Sequence, residues 1–313
     1  MEVVFLFPGY GSQFVGMGKE LYDDYRIVQE YFEEASQCLN INFVKLCFAS
    51  SEAELKKIGN AYPALFLMSS AIYALFKDEE VYPSVLIGNN IGDYAAIAAA
   101  GGMSLPDGLY LLSKYVHLYQ DYVDTHKVSL LRIEKTDFEL AKYLCSLIGT
   151  EQQIAVAISR GDEEQVVSGD NESIDELKKI LDDKDIAYAD EDYGYELHSV
   201  LAQSLVDTFS PYLNKVDFKD LSLHVLRSSD AKQIKTKQEI AQTIIERIVQ
   251  PVRLDLIYQK IANAKLIVHF GLEDRQTNTL TRLYPDIPLM LVTQRSDIME
   301  VKKIMQMQIH TEK

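Results

Sequence analysis

The stretch PSVLIGNNIGDYAAIAAAGG, residues 83–102, restricts the fold more than any other part of the chain. A short apolar run ends at Gly88, a tight turn lies between Gly88 and Gly92, and a run of small residues follows that suits a closely packed helix. A strand that feeds a helix through so short a turn lifts the middle residue of the turn into a pocket beside the helix N-terminal N–H groups. In a Gly-x-Ser-x-Gly elbow that residue is a nucleophile. Here it is Asn90, and an amide has no proton acidic enough to make it one, so this elbow cannot form an ordinary acyl-enzyme.

The rest of the chain alternates strand and helix around this unit. Val3 to Phe7 reads as a strand, Pro8-Gly9 as a turn, and a Gly-rich loop through Gly18 leads to helical periodicity in KELYDDYRIVQEYFEEASQCL. Ser51 with Glu54 forms a capping-box pattern, and a buried helix is expected from about Pro63 to Phe76. PDGLYLLSKYVHLYQDYVDTH repeats its apolar positions every three or four residues. Such alternation predicts a parallel sheet covered by helices.

After Lys127 the pattern becomes β-α-β-β-α-β: SLLRIEK, DFELAKYLCSLI, IAVAIS, EQVVSG, SIDELKKILDDK and IAYADE. That order is the ferredoxin-like split arrangement. From His198 a helix, the strand LSLHVLRS, a long helix to Val249, the break QPVRL, another helix and the strands KLIVHFG and PLMLVT follow. The expected fold is an α/β chain with a large α/β-hydrolase-like domain, residues 1–127 and 195–313. Its parallel sheet carries the GxSxG-type elbow, and a small ferredoxin-like α+β subdomain is inserted at 128–194.

The net charge of -16 argues against a nucleic-acid or anionic-membrane surface, which would repel most of the exterior. Cys38, Cys47 and Cys145 lack paired spacing or a histidine cluster, so no disulfide framework, metal site or cofactor is expected. GYGSQFVGMG has neither the Lys-Ser/Thr ending of a phosphate loop nor an acidic ribose partner. Met1 runs almost directly into a strand, and the apolar run AYPALFLMSSAIYALF is too short to cross a bilayer comfortably, which predicts a cytoplasmic protein.

Several segments together resemble the malonyl-CoA:acyl carrier protein transacylases and the acyltransferase domains of polyketide synthases. FPGYGSQFVGMGKELY is similar to that family's FPGQGSQ-x-x-GMG opening, and GNNIGDYAAIAAAGGMSLPDGLYLL to its GHSLGEYAAL elbow and following helix. EQVVSG resembles a QVVIAG strand, ELHSVLAQSL the segment of the catalytic histidine, and IVQPVRL the Asn/Gln-Pro-Val-x-W/F segment. The resemblance spans nearly the whole chain. It places the serine on Asn90, the preceding histidine on Asn89, and the carboxylate-clamping arginine on Tyr115. The oxyanion-loop glutamine falls on Tyr10, and a further pocket glutamine on Tyr62. His198 and Gln250 stand where the family places its histidine and Asn/Gln.

These losses are coherent, because transfer needs a nucleophile, a base, oxyanion donors and a cation for the extender carboxylate. The resemblance therefore implies a degenerate acyltransferase homologue of fatty-acid or polyketide biosynthesis. Its partner would be an acyl carrier protein or a polyketide synthase module. The alternative is a repurposed enzyme acting on acyl thioesters or polyketide intermediates through His198. A relocated nucleophile at Ser12 or Ser199 is a weaker third reading. Tyr10, Tyr62, Asn89, Ile91, Gln250 and His117 are the expected pocket residues, and the three tyrosines either fill the cleft with rings or line a reshaped one.

Overall fold

The computed structural model describes residues 3–311. Its strands in chain order are β1 (Val3–Phe7), β2 (Val85–Gly88), β3 (Val128–Glu134), β4 (Ile154–Ser159), β5 (Glu164–Asp170), β6 (Tyr188–Asp190), β7 (Val225–Leu226), β8 (Gln233–Ile234), β9 (Val252–Arg253), β10 (Leu266–His269) and β11 (Leu289–Leu291). They form two sheets, ordered β11-β10-β1-β2-β7-β8 and β6-β3-β5-β4-β9.

The larger sheet is parallel from β11 through β7 and closes with the antiparallel hairpin β7–β8. All five residues of β1 are buried apolar side chains, as a central parallel strand covered on both faces requires. LSLHVLRS contributes only Val225–Leu226 to the sheet, and the helices Arg275–Leu283 and Arg295–Thr311 add to the expected elements.

The helix expected from Pro63 to Phe76 runs from Ile58 to Asp78. At 1.5 Å per residue it is about 31 Å long, which by length and composition is enough to cross a membrane, unlike the shorter run expected. Yet 78% of its apolar window is buried in the protein, where it packs on helices Arg26–Leu39 and Leu105–Thr125. Side chains such as Phe66 and Leu67 are fully buried there, each contributing about 1.5–3 kcal/mol through apolar burial.

In the smaller sheet β3 pairs antiparallel with β5 and β6, and β4 pairs antiparallel with β5. Helices Phe138–Ser146 and Asn171–Asp183 pack on it around a separate core that includes Leu131, Ile133, Leu144, Val167 and Leu177. The sheet is not made from residues 128–194 alone. β9 pairs parallel with β4, Val252 opposite Ile158, because Pro251 ends the preceding helical run and leaves the chain extended at the sheet edge.

Candidate functional site

β2 ends at Gly88, and the helix Gly92–Ala99 begins four residues later. A Cβ on Gly92 would lie 2.3 Å from the carbonyl oxygen of Phe7, so only glycine lets the elbow press against the end of β1. Asn90 takes the strained middle position with φ 55°, a left-handed conformation that asparagine tolerates better than most side chains.

The amide of Asn90 is buried and fully used. Its Oδ1 accepts from the Ile91 N–H at 2.7 Å, which orients Nδ2 toward the Tyr195 carbonyl at 3.2 Å and His198 Nε2 at 2.9 Å. His198 Nδ1 lies 2.6 Å from the Arg247 carbonyl, an acceptor only, so Nδ1 carries the proton and Nε2 accepts from Asn90. Burial pushes the imidazole below its ordinary pKa despite the nearby Glu196 carboxylate, so the ring is neutral.

Behind this pair lies a charge pair absent from the expected site. Arg247 Nη1 donates to Glu196 Oε2 at 2.8 Å, both side chains are 1% exposed, and Glu196 Oε2 is 3.8 Å from His198 Nε2. The guanidinium lies 5.2 Å from the ring centre of Tyr94 and 5.3 Å from that of Tyr115. Burial works against its charge, but the Glu196 carboxylate holds the Arg247 pKa well above its ordinary value. A cation therefore reaches Tyr115 from another helix. Asp93 is also enclosed, accepting from Ser228 Oγ at 2.6 Å, and burial pushes its carboxyl up to about 7.

The three tyrosines are packing groups. Tyr62 is fully buried and donates to the Gly194 carbonyl at 2.7 Å; Tyr115 stacks on Tyr119 at 5.8 Å and meets Phe209 at 5.2 Å. Tyr10 donates to the Lys56 carbonyl at 3.0 Å and meets Tyr62 and Tyr195 edge-on. A Cβ on Gly194 would fall 2.2 Å from the Tyr10 ring, so the ring occupies the space a larger residue would need. Of the three, Tyr10 alone borders the open cleft.

That cleft, of about 220 Å³, is lined by Tyr10, Ser12, Asn89 and Asn90 together with Arg160, Tyr195, Asp274 and Gln276; Ser12 Oγ donates to Asp274 at 3.2 Å and the Arg160 guanidinium lies 4.7 Å from the Tyr195 ring centre. The Gln276 amide and the Tyr258 hydroxyl have no hydrogen-bond partner among the described residues. Arg160 and Arg275 share Glu191, at 3.2 and 3.0 Å. Gln250 is exposed and lines a different cavity, of about 350 Å³, together with His198, Ser199 and Phe138. His117 stands apart from both, 78% exposed and 3.7 Å from Asp121, because it lies on the solvent face of its helix. Ile91 contributes its backbone N–H, and its side chain is core. Arg160, Glu196, Arg247 and Gln276 were not foreseen; ERIV ahead of the QPVRL break was the available signal for Arg247.

Residues 4–270 match the family model of the acyl transferase domain. The chain belongs to this acyltransferase family. It is 28% identical over 262 residues to a malonyl CoA-acyl carrier protein transacylase of Bacillus subtilis strain 168, covering 83% of each chain. The corresponding protein of Staphylococcus aureus strain MW2 is 26% identical over 256 residues, which is 80% of this chain and 82% of the relative. Among solved structures, a Bartonella henselae acyl-carrier-protein S-malonyltransferase superposes with TM-score 0.91 at 22% identity, covering 97% of this chain and 99% of the other. A malonyl-transacylase in complex with a type II PKS acyl-carrier protein gives TM-score 0.90 at 21% identity, with the same coverage. The mixed α/β, two-subdomain architecture is thus that of the transacylase structures.

Proposed function

We propose that this acyltransferase-family chain works in fatty-acid or polyketide biosynthesis without transferring malonyl groups, as a cytoplasmic binding or scaffolding component for an acyl carrier protein or synthase module. The contact between Asn90 Nδ2 and His198 Nε2, at 2.9 Å, carries the reading. The elbow residue and the base still meet, but the elbow donates an amide N–H into the lone pair a general base would use. Nothing at Asn90 can accept an acyl group, and the engaged imidazole disfavours the alternative enzyme acting through His198.

The carrier-protein partner is supported by the relatives, which are named for action on acyl carrier protein, and by the neighbour solved with one bound. In this reading residues 1–127 and 195–313 form the α/β-hydrolase-like domain. Residues 128–194 form the ferredoxin-like insert, for which the order β6-β3-β5-β4 is the support.

Intact-protein mass spectrometry after incubation with malonyl-CoA, with a parallel titration against holo acyl carrier protein, tests the proposal. The expected result is no covalent adduct and saturable carrier binding. An acyl adduct on the natural chain would overturn it.

A further inference from the structure

We infer that the Arg247 guanidinium is a carboxylate-binding subsite behind the elbow which this chain fills with its own Glu196, making Glu196 the residue that keeps ligands with a terminal carboxylate out. The pair is joined by one hydrogen bond, Nη1 to Oε2 at 2.8 Å. Arg247 Nε and Nη2 and Glu196 Oε1 have no hydrogen-bond partner among the described residues. A guanidinium offers a two-pronged fork to a carboxylate, so this receptor is occupied but incompletely used. The rings of Tyr94 and Tyr115 beside the guanidinium favour a cation there but cannot neutralise it, so a buried carboxylate is required.

The backbone carrying that carboxylate is bent in a costly way. Glu196 has φ 63° and His198 φ 43°, both left-handed for residues with full side chains. The consequence is that Glu196 Oε2 reaches to 3.8 Å from His198 Nε2, one contact behind Asn90. An incoming carboxylate would have to expel Glu196 and leave it buried without its cation, whereas a neutral group meets no such conflict. The inference goes beyond carrier binding and stands or falls separately from it, because it concerns only the anion held by Arg247.

The test is thermal melting of the full chain as wild type, Glu196→Ala, Glu196→Gln and the double variant Glu196→Ala/Arg247→Met. Each is melted in chloride, acetate and malonate at equal ionic strength. Acetate and malonate should raise the Tm of Glu196→Ala saturably, by roughly 2–4 °C, over chloride. Wild type, Glu196→Gln with its volume kept, and the double variant should not respond. A rise absent from Glu196→Ala, equal in wild type, or retained without Arg247 overturns the inference. If Glu196→Ala does not fold in chloride, refolding yield is the readout: recovery with acetate alone supports the subsite, and failure in both salts overturns it.

Discussion

Asn90 Nδ2 donates to His198 Nε2 across 2.9 Å, while His198 Nδ1 donates to the Arg247 carbonyl across 2.6 Å. The imidazole is thereby fixed in one tautomer between an amide and a main-chain carbonyl. The elbow residue and the buried histidine thus form a structural link between the elbow and the segment Tyr195–Ser199.

Asn90→Ser replaces the amide with a hydroxyl within reach of His198. It also removes the bonds to the Ile91 N–H and the Tyr195 carbonyl. Malonyl transfer by this variant should remain at background, because the cation at Tyr115 is already committed to Glu196. A transfer assay with malonyl-CoA and holo carrier protein checks this, and turnover in the range of 1–1000 per second typical of enzymes would contradict it.

Arg247→Met should lower stability by about 3–5 kcal/mol, because it strands the Glu196 carboxylate in the interior. The double variant Arg247→Met/Glu196→Leu should recover most of that loss. Urea unfolding of the three proteins separates a stranded charge from a general packing defect.

Asp93 makes stability depend on pH in a defined direction. Its folded carboxyl lies at about 7, above the reference 3.8, so the folded state holds the proton more tightly than the unfolded one. Its contribution is full below about pH 4 and is lost as pH rises through 7. Asp93→Asn should therefore flatten the fall in stability between pH 5 and 8 by roughly 1–3 kcal/mol, measured by urea unfolding at each pH.

Gly194→Ala should cost about 1–3 kcal/mol, since its Cβ would meet the Tyr10 ring at 2.2 Å and disturb the carbonyl that receives the Tyr62 hydroxyl. Adding Tyr10→Ala should relieve the clash, so that the double variant loses less than the two single losses summed. Thermal melts of the four proteins give the coupling.

The elbow was readable because Gly88 and Gly92 mark a turn too tight for other residues, and the small sheet because its strand and helix periods switch cleanly. Tyr62 and Tyr115 were ambiguous for a physical reason: an aromatic ring suits a ligand pocket and a core equally, and only burial distinguishes them. Arg247 and Glu196 are 51 residues apart and belong to no spacing pattern, so their pairing exists only in the folded chain. β9, two residues long, has too short a period to show at all.

β9 also has a mechanical meaning. Among the residues that line the cleft, Asn89 and Asn90 belong to the larger sheet's elbow, whereas Ile158 and Arg160 lie at the end of β4, the strand that pairs with β9. Arg253 adds a second tie to the body, its backbone N–H donating to the Ser228 carbonyl at 2.8 Å. The cleft is therefore lined from both sheets, and the short segment Val252–Arg253 joins them, paired to β4 on one side and bonded to Ser228 on the other.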